Sequence, residues 1–132
     1  MIGIVVVTHG KLAEELVNAA RTIVGEIPAI KAVSMGWSDD PDRATAAVEE
    51  ALAGFEEERA LILTDMFGGT PTNLSLPFLS PHVEIVTGVN LPMLIRLASR
   101  REGSVSEVAR EIRDQGRSAI YVASELLEKK QE

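Results

Sequence analysis

The stretch "VVVTHGKLAEEL", residues 5–16, places a histidine where one sequence pattern gives way to another. The apolar, β-branched residues before the histidine are too few for an amphipathic helix, and they predict a strand over 2–8 that is buried on both faces. The following residues have apolar side chains at helical spacing and stop at a glycine, which predicts a helix over 10–24. His9 therefore lies where a buried strand turns into a helix.

The same alternation of strand and helix continues along the chain. Further strands are predicted at 29–35, 59–65, 83–87 and 118–123, and further helices begin near Pro41, Thr70, Pro92 and Ser104. Strands that alternate with helices join through right-handed crossovers, so the sheet is expected to be mainly parallel with helices on both faces. The sequence predicts a single α/β domain over 1–132, in which 124–132 form a loosely held tail.

Capping residues set the limits of two of these helices. Thr70 is predicted to cap a short helix that Pro71 begins. Ser104 and Glu107 have the spacing of a capping box, and the helix that they open is predicted to end just before Gly116.

Composition excludes several classes of function. The 132 residues carry a formal net charge of −7, which disfavours nonspecific nucleic-acid binding. There is no cysteine, so disulfides, thiol catalysis and zinc–cysteine sites are excluded. Apolar runs such as "IGIVVV" are too short to cross a membrane, and the first residues lack the pattern of a signal peptide. A cytoplasmic location is expected.

Two titratable side chains follow predicted strands. In doubly wound sheets the working residues lie at the carboxyl ends of strands, and His9 and Asp65 occupy such positions. A carboxylate that accepts a hydrogen bond from one ring nitrogen leaves the lone pair of the other nitrogen available. His82 precedes a strand and is expected to be a surface or structural residue. One histidine and one aspartate are too few ligands for a metal site.

The loop "DMFGGTPTN", residues 65–73, has the features of an anion site. Gly68 and Gly69 allow successive backbone N–H groups to point one way, and Thr70 lies at a predicted helix N-terminus. The same pattern also fits a simple tight turn. Neither a Walker A loop nor a dinucleotide-binding turn occurs, so ATP and NAD lack support. Trp37, in another strand-end loop, either anchors a partner or packs against its own chain.

An oriented histidine beside an amide-lined anion pocket indicates phosphoryl transfer through phosphohistidine. In-line transfer requires chiefly positioning and donors to the equatorial oxygens of the phosphoryl group. Because no nucleotide motif is present, the expected donor is another phosphoprotein.

Three segments carry a resemblance to a known family. "GIVVVTHGKLAEEL", "LTDMFGGTPTN" and "GVNLPML" resemble the IIA domain of the mannose-type bacterial sugar phosphotransferase system, and the likeness covers nearly the whole chain. The resemblance implies a doubly wound sheet with four parallel strands in the order 2-1-3-4. It also implies a homodimer in which the fifth strand, 118–123, is exchanged and lies antiparallel in the partner's sheet.

The resemblance also implies roles for individual residues. His9 takes a phosphoryl group on Nε2 from the carrier protein HPr and passes it to a IIB component, while Asp65 orients the ring. The backbone of Gly68 to Thr70 lines the phosphoryl pocket, in which the Thr70 hydroxyl also lies. The residues considered for further contacts at the crevice or with partners are Trp37, Phe67 and Asn90. No metal or other cofactor is implied, no fused IIB domain is expected, and contact with a membrane is only indirect, through a separate permease.

Two other functions and one related family were considered. A regulatory module of the same fold could bind a partner according to phosphorylation state without serving sugar transport. A small hydrolase that uses His9 as a base is disfavoured, because a second catalytic group is missing. The phosphotransfer subunit of dihydroxyacetone kinase has a similarly placed histidine, but the residues from Asp65 to Pro71 fit the mannose type better.

Overall fold

The computed structural model describes residues 1–131 and contains one four-stranded parallel sheet. The strands are β1 (Gly3–His9), β2 (Ile30–Met35), β3 (Ala60–Thr64) and β4 (Val83–Thr87). Their order is β2-β1-β3-β4, and all neighbouring strands are parallel. The predicted architecture and strand order are thereby confirmed. The strands β2 and β4 form the two edges of the sheet.

Six α-helices connect or follow these strands. They are α1 (Leu12–Val24), α2 (Pro41–Ala53), α3 (Thr70–Ser75), α4 (Leu91–Leu97), α5 (Val105–Ser118) and α6 (Ala123–Gln131), with a 3₁₀ turn at Leu76–Phe78. None of the helices within residues 1–131 combines the length and the apolar character that a membrane crossing requires.

The core lies on both faces of the sheet, as the continuous apolar run in β1 predicts. Alternate side chains of β1 point to opposite faces, so that Val6 packs with α1, α4 and α5 while Val7 packs with α2. Six of the seven residues of β1 are buried. Full burial of each of its four aliphatic side chains, Ile4 to Val7, stabilises the fold by roughly 1.5–3 kcal/mol. The strand that carries His9 is therefore firmly held at the centre of the molecule.

Two buried polar contacts fix the turn from β1 to α1. The buried Thr8 Oγ1 accepts a hydrogen bond from the Ala13 N–H at 2.7 Å. The Gly10 N–H donates to the Met35 carbonyl at 2.6 Å, and Gly10 has a positive φ of 56°, which glycine adopts without strain. The turn therefore holds His9 against the end of β2.

At the amino ends of the strands, a buried arginine joins the segments that precede β1 and β2. Arg101 Nε and Nη2 both donate to the Ile2 carbonyl, and Nη2 also donates to the Ala29 carbonyl. Burial lowers the pKa of the Arg101 guanidinium from its usual high value. This contact fixes the start of β1, so that both ends of the central strand are tied to neighbouring segments.

The structure corrects the predicted end of α5. The helix continues through Gly116 to Ser118, because Gly116 serves packing rather than termination. A Cβ at Gly116 would lie 2.6 Å from the Met93 Cε and 2.9 Å from its Cγ, so a larger residue here would require the Met93 side chain to move. An isolated glycine within a helical pattern gives no local sign of such a contact.

The predicted fifth strand is also absent from this chain. Ser118 ends α5, Ala123 begins α6, and the residues between them pair with no strand of the described chain. A strand needs a hydrogen-bonding neighbour, and within this chain the segment does not pair with either open edge of the sheet. The predicted tail forms helix α6 as far as Gln131, and its last residue, Glu132, lies outside the described residues. Whether the tail is loosely held stays a prediction.

Candidate active site at the carboxyl ends of the strands

His9 and Asp65 meet at the carboxyl ends of β1 and β3. The strands are neighbours with Val7 opposite Thr64, which brings the residues that follow into contact. His9 Nδ1 lies 2.8 Å from Asp65 Oδ2, and the same oxygen accepts the His9 backbone N–H at 3.0 Å. A carboxylate only accepts, so Nδ1 carries the proton and Nε2 keeps its lone pair. The expected orienting contact is therefore present in the geometry.

The backbone of the loop after β3 lies directly against the histidine ring. A Cβ at Gly69 would lie 2.8 Å from His9 Cε1 and 3.4 Å from Nε2. Gly68 has a positive φ of 85°, a conformation that strains residues with side chains. Gly68 thus allows the turn, and Gly69 places backbone without a side chain beside the edge of the ring that carries Nε2.

The structure corrects the role predicted for Thr70 as a helix cap. Helix α3 begins at Thr70 itself, and Gly69 occupies the N-cap position with no side-chain capping bond. The Asn73 N–H donates to the Gly69 carbonyl at 3.0 Å and closes the first turn. Because Thr70 is inside the helix, its hydroxyl is not the group that caps the first turn.

A pair of buried threonines holds this loop, and the sequence analysis did not single it out. The Thr72 hydroxyl donates to the Met66 carbonyl at 2.6 Å and lies 2.7 Å from the Thr64 hydroxyl. Because Thr72 has a single hydroxyl proton, Thr64 is the donor within the pair. This chain of hydrogen bonds ties the loop to the end of β3. In the sequence, the only indication of this contact is the spacing of Thr64 and Thr72, which lie eight residues apart with a pair of glycines between them.

Trp37 packs against the histidine rather than standing free. The indole and imidazole rings are stacked with centroids 5.3 Å apart and planes 18° apart, although the Trp37 residue is 83% exposed. Trp37 thus packs against its own chain, and the contact with a partner that the sequence also allows stays a prediction. The exposed face of the indole remains accessible to solvent.

The other two residues considered for crevice contacts, Asn90 and Phe67, differ in whether their side chains are held by the protein. Asn90 caps α4 by accepting the Met93 N–H at 3.2 Å, and its Nδ2 donates to the Gly116 carbonyl at 3.1 Å. Its side chain therefore has a structural role between α4 and α5. Phe67 is 76% exposed, beside a groove along β4.

The remaining sequence expectations concern His82 and metal binding. His82 lies at the amino end of β4, whereas His9 lies at the carboxyl end of β1. The His82 side chain is exposed, with Nε2 3.8 Å from a Glu58 oxygen. Within residues 1–131 no group of three or more histidine, cysteine, aspartate or glutamate side chains is arranged to hold a metal ion.

The sequence predicts that His9 accepts a phosphoryl group, and on that prediction we expect Gly69→Ala to slow phosphorylation by at least about tenfold. The added methyl group would collide with the imidazole edge and displace Nε2. Single-turnover phosphorylation followed by intact mass measures this effect. Gly54→Ala is the matched control, because Gly54 follows α2 away from His9, has a negative φ of −81°, and its added Cβ would make only ordinary contacts at 3.5 Å. Equal rates for wild type and Gly69→Ala would contradict the close approach of the loop to the ring.

Comparison with known proteins places this geometry among sugar phosphotransferase components. The sequence profile of the EIIA-man family, described as "PTS system fructose IIA component", matches residues 3–113. The chain is 29% identical to the fructose-specific EIIA component of Bacillus subtilis, covering 98% of this chain and 91% of that one. It is 32% identical to the mannose-specific EIIAB component of Escherichia coli, over 80% of this chain but only 33% of the longer relative.

A solved structure agrees with these sequence matches. The mannose/sorbose-specific IIA subunit from Enterococcus faecalis superposes with a TM-score of 0.85 at 30% sequence identity. The superposition covers 92% of this chain and 93% of that subunit. The two proteins therefore share one fold over nearly all of this chain.

Proposed function

This chain belongs to the EIIA-man family, the IIA components of the mannose-family sugar phosphotransferase system, and we propose that it carries a phosphoryl group on His9. The donor is phospho-HPr and the acceptor is a IIB component. The observation that carries the proposal is the 2.8 Å contact of His9 Nδ1 with Asp65, which leaves Nε2 with a free lone pair beside the Gly69 backbone. We also propose a cytoplasmic location, in keeping with these partners.

The proposed transfer follows from the positions of these groups. The Nε2 lone pair attacks phosphorus, the new N–P bond forms, and the N–P bond of the donor breaks with its electron pair returning to the donor's imidazole. The Nδ1 proton stays on the ring and faces Asp65, whose negative charge offsets the positive charge that develops there. Hydrogen bonds to the equatorial oxygens of the phosphoryl group would come from the Thr70 hydroxyl and from the backbone N–H groups of Gly68, Gly69 and Thr70. The transfer needs no metal or other cofactor.

A reconstituted relay tests the proposal. Phosphoenolpyruvate, enzyme I, HPr and this protein are incubated together, and intact mass and peptide mapping follow the product. We expect one phosphoryl group on the peptide that contains His9, labile in acid and stable in alkali. Phosphate on His82 would contradict the assignment of roles. No transfer with active cognate HPr would favour a regulatory module that binds its partner independently of phosphorylation.

We further propose that the chain forms a homodimer through the open edge of β4. A groove of about 410 Å³ runs beside this strand, between Phe67 and Leu79 on one side and Arg113 of α5 on the other. Residues 120–122 are apolar and expose between 62% and 76% of their surfaces. The open edge of β4 lacks a strand partner, and residues 120–122 are exposed and apolar. The two complement each other when the partner subunit supplies the segment.

Sedimentation equilibrium measures this association. We expect the wild type to have twice the mass of the chain and Tyr121→Pro to be largely monomeric, because proline removes a backbone donor from the added strand. Ser124→Pro is the matched control, since it falls in the first turn of α6, where proline is tolerated. A monomeric wild type would refute the dimer and leave the phosphocarrier proposal intact.

A further inference from the structure

Trp37 has a contact that the transfer described above does not use. It is the sole tryptophan of the chain, and it is 83% exposed although its ring is stacked on His9. An indole placed only for stability would normally lie in the core, where it could bury most of its surface. The contact therefore concerns the imidazole rather than the hydrophobic core.

The surrounding backbone holds the indole in this position. A Cβ at Gly10 would lie 3.5 Å from Trp37 Nε1, so the indole covers the glycine next to His9. The turn that carries Trp37 is closed by Asp39, whose Oδ2 accepts the Gly36 N–H at 2.8 Å and whose own N–H donates to the Gly36 carbonyl at 3.1 Å. The stacked arrangement thus has support on both sides of Trp37 in the sequence.

The histidine ring is consequently held by three different kinds of contact. Asp65 binds Nδ1, the Gly69 backbone limits the edge formed by Cε1 and Nε2, and Trp37 covers one face. Asp65 alone would permit rotation of the ring about the line of its hydrogen bond. The stacked indole opposes that rotation and keeps the Nε2 lone pair in one direction.

The electronic character of the indole also suits the reaction. The negative face of an aromatic ring attracts a cation, and tryptophan provides the strongest such face. When Nε2 forms a bond to phosphorus while Nδ1 keeps its proton, the imidazole becomes positively charged. A stacked indole therefore stabilises the ring more in the transition state than before attack.

We propose that Trp37 is a positioning residue for His9, which orients the imidazole and stabilises the positive charge that the ring gains on phosphorylation. The inference rests on the phosphocarrier function proposed above. The bond changes are those of that transfer: N–P forms at His9 Nε2, N–P of the donor breaks, and the Nδ1 proton remains in place.

The first experiment uses phosphoramidate, a small donor with an N–P bond and no protein surface. Intact mass follows phosphorylation of the whole chain over time. We expect Trp37→Ala to slow the reaction about fivefold, the factor that corresponds to a cation–π contact at an exposed site. Trp37→Phe should stay within about twofold of wild type, while Trp37→Leu, which keeps apolar bulk without an aromatic face, should resemble alanine.

The second experiment uses phospho-HPr in single turnovers and separates positioning from docking. Positioning lowers the maximal rate of Trp37→Ala and leaves the half-saturating concentration of phospho-HPr within about twofold of wild type. A raised half-saturating concentration with an unchanged maximal rate would instead make Trp37 a partner anchor and overturn the inference. Thermal unfolding by circular dichroism is the control for folding.

Trp37 fluorescence gives a direct reading of the stacked pair, because no other tryptophan contributes. We expect the emission to change when His9 is replaced by alanine and when wild type is phosphorylated. Absence of both changes would overturn the inference. The two proposals fail differently: an unreactive wild type refutes the phosphocarrier function, whereas a reactive wild type with an equally reactive Trp37→Ala refutes only the role of Trp37.

Discussion

His9→Ala is expected to abolish phosphorylation by phospho-HPr completely, so that the product mass stays that of the unmodified chain. His9 is the nucleophile in the proposed transfer, and no neighbouring group can replace it. The chain's other histidine, His82, lies at the amino ends of the strands, beside Glu58. Substitution at His9 removes the atom that forms the N–P bond, so the loss should be total rather than a reduction in rate.

The matched control for this prediction is His82→Ala, which should be phosphorylated at the wild-type rate. Both variants should fold, because the His9 side chain is partly exposed and His82 is more than half exposed. Intact mass after incubation with phosphoenolpyruvate, enzyme I and HPr measures the result. A phosphoryl group on the folded His9→Ala protein would contradict the proposed site.

Asp65→Asn is expected to lower the rate of phosphorylation on the order of 10⁴-fold, the loss seen when an amide replaces the carboxylate that orients a catalytic histidine. One Asp65 oxygen accepts both the Nδ1 proton and the backbone N–H of His9. An amide can instead turn its NH₂ group toward Nδ1, which favours the tautomer with the proton on Nε2 and removes the lone pair that attacks phosphorus. The amide also lacks the charge that offsets the developing imidazolium.

Rapid-quench single turnovers at saturating phospho-HPr measure the effect of Asp65→Asn. Asp114→Asn is the matched control, because it makes the same change of charge at an exposed aspartate of α5, outside the contact with His9. Thermal unfolding is followed for both variants, because the backbone bond from His9 to Asp65 also contributes to local structure. A folded Asp65→Asn protein that reacts at the wild-type rate would mean that the carboxylate does not set the tautomer.

Some features of the site could be predicted because they depend on local pattern. His9 and Asp65 follow apolar runs of strand type, and the carboxyl ends of parallel strands carry the working residues of such sheets. Predicting their direct contact also needs the order of the strands. The family resemblance implies that order, whereas the local hydrophobic pattern does not. The order β2-β1-β3-β4 places β1 beside β3 and so brings the two side chains together.

Other features involve contacts between residues that are distant in the chain. The stacking of Trp37 on His9 depends on the course of the turn after β2, which Asp39 closes. The close approach of Gly69 to the histidine ring depends on the path of a different loop. Neither tryptophan in a loop nor a pair of glycines identifies its spatial neighbour, since each pattern also fits a simple turn.

By itself the sequence determined the alternation of strands and helices, the burial of β1 on both faces, and the placement of His9 and Asp65 at strand ends. These features could be predicted because hydrophobic spacing and turn residues act over a few neighbouring positions. Only the tertiary structure decided that Gly116 lies inside α5, that residues 119–122 find no strand in their own sheet, and which three groups surround the histidine ring. These outcomes depend on how closely separate elements approach, and side-chain packing sets that distance after the elements have formed.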